Sequence, residues 1–167
     1  MSDDKPLVLV DVDGVLNPFV KQGKEWLRHQ AMCGGTTYNV LLNAEHGAKL
    51  LALAEETGAE LVWATTWEHD ANTAIGPLVG LPKLPVIEVL KGDEAPFGVC
   101  FKSPAVANYV NGRPFVWFDD DLGRADRLWF NDHPNVGEFR LIHIGSKRGI
   151  TDKHIQQARA WLLELAV

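Results

Sequence analysis

Asp11 and Asp13 stand one residue apart in the stretch LVLVDVDGVLNP, residues 7–18, directly after four apolar residues and directly before Gly14. Each carboxylate raises the pKa of the other, so a pair at the end of a buried strand is costly unless chemistry uses it. Further along, Thr65 and Thr66 close the run ELVWATT, Lys102 immediately precedes the helix-opening pair Ser103-Pro104, and Asp119, Asp120 and Asp121 close the run PFVWFDDD. Carboxylates, a hydroxyl and an ammonium brought to one edge carry more negative charge than one lysine balances. A divalent cation makes such a cluster tolerable, and hard oxygen ligands without histidine point to Mg2+. The six histidines (His29, His46, His69, His133, His143 and His154) show no zinc-ligand spacing and are expected in surface or core roles.

These residues need a scaffold that delivers them to one place. Val8–Val10 form an uninterrupted aliphatic run, as expected for a strand buried on both faces of a parallel sheet. Similar runs recur at 60–66, 85–90, 114–120 and 139–144. Helical signals lie between them. Asn43 can cap a helix through about Glu56 that Gly58 closes; Ser103-Pro104 opens a second that Asn111-Gly112 ends. Thr151 can cap a last helix with Ile155, Ala158, Leu162 and Leu165 on one face. Strands alternating with helices predict an α/β three-layer sandwich with a five-stranded parallel sheet, in a single domain spanning 1–167. Its ligand site belongs at the carboxyl ends of the strands, where Asp11, Thr65 and Asp119 fall. Two stretches break the alternation. Residues 17–42, with Gly23 and Gly34-Gly35, read as a flap or hairpin over one end of the sheet, and residues 76–85 as an irregular connection. Glu68–Asp70 read as an acidic helix start, and Trp67 either packs in the core or lines the site.

Composition narrows the class. An apolar fraction of 46% with 23% charged residues is that of a globular protein with a full core. No apolar run reaches the length of a membrane span, and the acidic start MSDDKP does not read as a secretory signal. Cys33 and Cys100 fit no CxxC pattern and are expected as free thiols in a reducing cytoplasm. The net charge of −6 argues against a surface coated in positive charge for duplex DNA, while leaving room for a local basic patch.

The order Asp-x-Asp, Thr, Lys, Asp-Asp resembles the haloacid dehalogenase-like (HAD) phosphohydrolase superfamily. DVDGVLNP is similar to its first motif, LVWATT to its second, FKSPAVANYV to its third and FVWFDDD to its fourth. More narrowly, TTWEHDAN, LGRADRLW and GSKRGITDKHIQQARAWL look like the small capless HAD domains of bacterial nucleic-acid repair proteins. The resemblance implies Asp11 as nucleophile forming an aspartyl-phosphate and Asp13 as the acid and base that serves the leaving group and then water. It implies Mg2+ held by Asp11, the backbone carbonyl of Asp13 and Asp119, with Asp120 either a further ligand or a support behind the ligands, Thr65 on a phosphoryl oxygen and Lys102 neutralising phosphoryl charge. Gly14 would let the backbone approach the phosphate. Thr66 can trade places with Thr65, and Asp120-Asp121 with Asp119-Asp120; position at the strand ends favours Thr65 and Asp119-Asp120.

The intervals from Asp13 to Thr65 and from Thr65 to Lys102 are mostly consumed by core elements, leaving room for a flap but no large cap. An open site accommodates a large phosphorylated substrate, with polynucleotide ends and nucleotides among the candidates. Lys147 and Arg148 follow the last strand and are expected to bind substrate on the same edge, with Arg124 and Arg127 flanking it. Two alternatives differ in class: a small-metabolite phosphatase, and a non-enzymatic phospho-acceptor signalling or binding domain. The second has an Asp, Thr and Lys site of its own, but draws its acidic pair and acceptor from different strands.

Overall fold

A computed structural model describes residues 4–166. Four strands, β1 (Leu7–Val10), β4 (Glu60–Trp63), β5 (Phe115–Asp119) and β6 (Phe139–His143), form a parallel sheet in the order β4-β1-β5-β6. β1 is central and buried on both faces, which is why it reads as an unbroken apolar run. Alternate residues feed two cores. Val8, Val10, Trp63, Val116 and Phe118 pack with α1 (His46–Thr57), the short α2 (Gly76–Val79) and α5 (Asp152–Leu165). Leu7, Leu9, Val62, Phe115 and Trp117 pack with α3 (Ser103–Val110) and α4 (Arg124–Asp132). The result is three layers with the strand ends Asp11, Thr65 and Asp119 on one edge.

The expected fifth strand at 85–90 is reduced to a single parallel bridge between Val86 and Trp63. The Trp63 N–H donates to the Pro85 carbonyl and the Ile87 N–H to the Trp63 carbonyl, and pairing stops there. Pro85 has no N–H to extend the ladder backwards. Beyond Ile87 the chain closes into a 3-10 turn, Val89–Lys91, with the Leu90 N–H donating to the Glu68 carboxylate.

The segment expected as a flap contains a hairpin, β2 (Trp26–Cys33) and β3 (Thr36–Asn43), joined by Gly34-Gly35. Both glycines have positive φ, 57° and 82°, as a two-residue turn that matches strand twist requires. Two side-chain contacts fix the hairpin over the sheet edge. The Leu41 N–H donates to Asn17 Oδ1 at 2.8 Å, and the Gly34 N–H to Asp70 Oδ2 at 2.9 Å. Asp70 therefore anchors the hairpin tip, a use that the acidic run 68–70 did not disclose. Residues 71–75 form a single π-helical turn that leads into α2.

Helix ends follow the sequence signals, with shifts. Gly58 closes α1 and Asn111 closes α3, both left-handed. Thr151 caps α5. Asn43 does not cap α1; its Oδ1 accepts the Glu45 N–H, and the helix starts at His46. His46 is buried against Trp26, edge to face. Burial, helped by the Lys49 charge, pushes its imidazole from 6.5 down to about 4. The unfolded chain therefore binds a proton between pH 6.5 and 4 that the folded chain resists. This contribution is complete above about pH 6.5 and is lost as pH falls toward 4, amounting to about 3 kcal/mol. Urea unfolding of wild type and His46→Phe at pH 7 and pH 4.5 checks it: the wild type should lose more stability than the variant.

Candidate active site

Asp11 follows β1 directly, and Asp119 is the last residue of β5. Because β1 and β5 are paired neighbours, the two carboxylates lie side by side at the carboxyl edge. Both are buried. Lys102, also buried, lies between them: its Nζ is 3.1 Å from Asp11 Oδ1 and 2.7 Å from Asp119 Oδ2, and it donates to the Ala64 carbonyl at 3.4 Å. The lysine thus ties the ends of β1, β4 and β5 together. Asp11 Oδ1 also accepts the Val12 N–H at 2.8 Å, and Asp119 Oδ1 accepts the Asp121 N–H at 2.9 Å.

Asp120 completes the cluster. Oxygens of Asp11, Asp119 and Asp120 lie within 4.8 Å of one another, while Asp121 is exposed and contributes only its backbone. Gly14 makes room for this: its φ is +79°, and a Cβ there would overlap Asp120 Oδ2. Burial, reinforced by the Asp119 charge and only partly offset by Lys102, holds the Asp11 carboxyl well above the ordinary carboxylate range. Burial and Asp119 likewise push Asp120 upward. Burial pulls Lys102 toward neutrality, yet Asp11 and Asp119 together override it and raise the ammonium above its usual value. Three carboxylates against one ammonium leave uncompensated negative charge among oxygen donors alone. That donor set fits a hard divalent cation.

Asp13 stands apart from this cluster. It is exposed, and two donors fix its carboxylate: Trp67 Nε1 at 3.0 Å to Oδ2 and Asn17 Nδ2 at 2.9 Å to Oδ1. Trp67 is buried and still meets the site, so both readings of it hold at once. Thr65 is buried and its hydroxyl oxygen accepts the Trp67 N–H, whereas Thr66 is exposed. A cavity of about 330 Å³ opens beside Asp13 beneath the hairpin, lined by Asn17, Tyr38, Asn39, Thr66 and Trp67 among others. Tyr38 meets Trp67 edge to face at 5.8 Å, which gives this cavity an aromatic wall.

Asp126 is a positioning residue that sequence reasoning missed. Its buried carboxylate accepts the Cys100 N–H, the Ser103 hydroxyl and the Gly123 N–H. One side chain therefore pins the turn carrying Lys102 to the loop after Asp119–Asp121. The signal was its place three residues after Gly123, where an acidic side chain can close a capping box. The basic residues are distributed differently from the metal-binding candidates. Lys147 and Arg148 are exposed on the loop after β6; Arg148 lines a different cavity, at the base of the hairpin. Arg124 and Arg127 are exposed and line a groove with Leu141 and His143.

Among the described residues no helix is long and apolar enough to cross a membrane. No curated protein and no solved structure matches the chain. The family described as the HAD domain in Swiss Army Knife RNA repair proteins matches residues 7–155, from β1 into α5 and through every residue of the acidic site. The chain belongs to that HAD family.

Proposed function

We propose that the protein is a Mg2+-dependent phosphomonoester hydrolase that works through an aspartyl-phosphate on Asp11. Membership of a HAD family supports a phosphohydrolase-type function in general. The observation that carries the finer reading is the division of labour between the two motif aspartates. Asp11 is buried in a charge cluster that Lys102 only partly neutralises, while Asp13 is held outside it by Trp67 and Asn17. Asp11, Asp119, Asp120 and the Asp13 carbonyl would hold the Mg2+, which when bound supplies positive charge to the phosphoryl oxygens.

In this reading an Asp11 carboxylate oxygen attacks phosphorus, and the bond to the leaving oxygen breaks. Asp13, in its acid form, gives that oxygen its proton. The resulting Asp13 carboxylate then takes a proton from water, whose oxygen attacks the aspartyl-phosphate and releases phosphate and the Asp11 carboxylate. Thr65 would donate to a phosphoryl oxygen, with Thr66 beside the leaving group, and Lys102 would offset charge that grows on the phosphoryl group. The cavity next to Asp13 would receive the leaving group, and its Tyr38–Trp67 wall favours a ring-bearing alcohol such as a nucleoside at a polynucleotide end.

The test is a panel of phosphate esters with Mg2+ or with chelator: 5′- and 3′-phosphorylated oligonucleotides, mononucleotides and glycerol phosphate. Mg2+-dependent release of phosphate, fastest from the nucleotide substrates, is expected; release unaffected by chelator would contradict the reading. Trp67→Phe keeps the ring but removes the donor to Asp13. A hydrogen bond to a charged group is worth about 1.5–3 kcal/mol, so kcat should fall roughly 10- to 100-fold. KM should change little.

A further inference from the structure

Among the described residues the exposed large aromatic side chains are Phe19, Tyr38, Phe97 and Phe101. All of them lie in connections that leave the carboxyl ends of strands: Phe19 and Tyr38 after β1, Phe97 and Phe101 between the Val86 bridge and α3. The connections at the amino ends carry none. On the outer faces of α1, α4 and α5 the exposed apolar residues are leucines, Leu51, Leu128 and Leu163. Scattered leucines need no explanation, whereas exposed rings gathered on the catalytic edge mark a contact surface. Two of the rings are tied to site residues. Tyr38 meets Trp67, the residue that holds Asp13, at 5.8 Å, and the Phe101 ring centroid lies 6.0 Å from Lys102 Nζ. They flank the site from opposite faces of the sheet. Ala31, Val40 and Leu42 root the Tyr38 hairpin in the core on one face, and Cys100 roots the Phe101 turn in the core on the other.

We infer that Tyr38 and Phe101 are stacking platforms for two successive bases at the phosphorylated end of an unpaired polynucleotide strand. This rests on the phosphatase reading of the same site and names the form of its substrate. Every base has a π-face, so an accessible ring takes one whatever its identity. Tyr38 and Phe101 are each 48% exposed, which leaves ring surface open for that contact. Charge points the same way. Duplex binding draws its affinity from lysine and arginine on phosphates. Here Glu68, Asp70, Glu88, Asp93 and Glu94 stand among the basic residues of the edge, in a chain of net charge −6. Such an edge holds a strand by its bases more than by its backbone. Paired bases bury their faces on one another and cannot meet two separate rings, whereas the bases of an unpaired strand splay freely. The rings stand on separate segments rather than on one helix or sheet face, which suits splayed bases better than the continuous core contact of a protein partner.

The test reads binding rather than turnover. Fluorescence anisotropy follows labelled hexanucleotides, with a 5′- or a 3′-phosphate, on the full-length Asp11→Asn protein in Mg2+. The single strand should bind roughly tenfold more tightly than the same sequence in a blunt duplex. Phe101→Leu keeps an apolar side chain but loses the ring face, and should weaken the single strand roughly tenfold. Phe101→Trp should restore the affinity, and Tyr38→Leu should weaken it independently of Phe101. Removing the first or the second base from the phosphate should cancel the cost of one ring substitution each, a coupling that a merely structural role for the rings would not produce. Circular dichroism checks that each variant is folded. Equal affinity for strand and duplex, ring substitutions without effect or without coupling to either base, or a phosphopeptide bound as tightly as the hexanucleotide would overturn the platforms. Failure of the phosphatase reading would appear elsewhere, as wild-type protein that releases phosphate from no ester while the binding differences persist.

Discussion

Asp11→Asn should abolish phosphate release from every ester the protein accepts, by about a thousandfold or more, while leaving the fold intact. The amide is nearly isosteric, keeps an oxygen for the Val12 N–H and removes one charge from an overcrowded cluster, so folding has no reason to suffer. What it cannot do is attack phosphorus. Asp13→Asn should be comparably inactive for a different reason: the side chain still meets Trp67 and Asn17, but it can neither give nor take the proton. Circular dichroism and urea unfolding would establish that both variants are folded. Near-wild-type turnover by folded Asp11→Asn would remove the nucleophile assignment.

Lys102→Met should be the most destabilising substitution in the site. The ammonium is buried between Asp11 and Asp119, and removing it leaves two buried carboxylates facing each other without a counter-charge. Breaking a buried pair from one side costs about 3–5 kcal/mol, a fall in Tm of roughly 10 °C for a chain of this size. Mg2+ should recover part of that loss, because a cation that binds only the folded cluster stabilises it by mass action. Adding Asp119→Asn to Lys102→Met should also recover part of it, in the absence of metal. Thermal unfolding with Mg2+ and with chelator separates these effects. A variant as stable as wild type would mean that the lysine is not holding the cluster together.

Much of this architecture is legible in the chain because its signals are local. An aliphatic run ending in Asp-x-Asp-Gly announces β1, its burial and the site at its end, and Gly34-Gly35 announces a tight turn in the hairpin. The fifth strand was misread because PVIEVL has strand composition, while the features that stop it are a missing N–H at Pro85 and a distant acceptor at Glu68. The partners that orient the site were illegible for the same reason. Trp67 reaches Asp13 across 54 residues, Asp70 reaches Gly34 across 36, and Asp126 reaches Cys100 across 26. No spacing rule predicts such contacts; they exist only after the layers have packed. Arg148 shows the same limit from the other side. Its place after β6 was readable, but the cavity it lines depends on where the hairpin base settles.

The most direct test of the central claim is to look for the covalent intermediate. The protein is mixed with a nucleotide substrate and Mg2+, quenched in acid during turnover, reduced with borohydride and mapped by peptide mass spectrometry. An aspartyl-phosphate on Asp11 predicts homoserine at position 11, dependent on substrate and absent from Asp11→Asn. Turnover with no reduced residue at position 11, or with the reduced residue at Asp13, Asp119 or Asp120 instead, would contradict it.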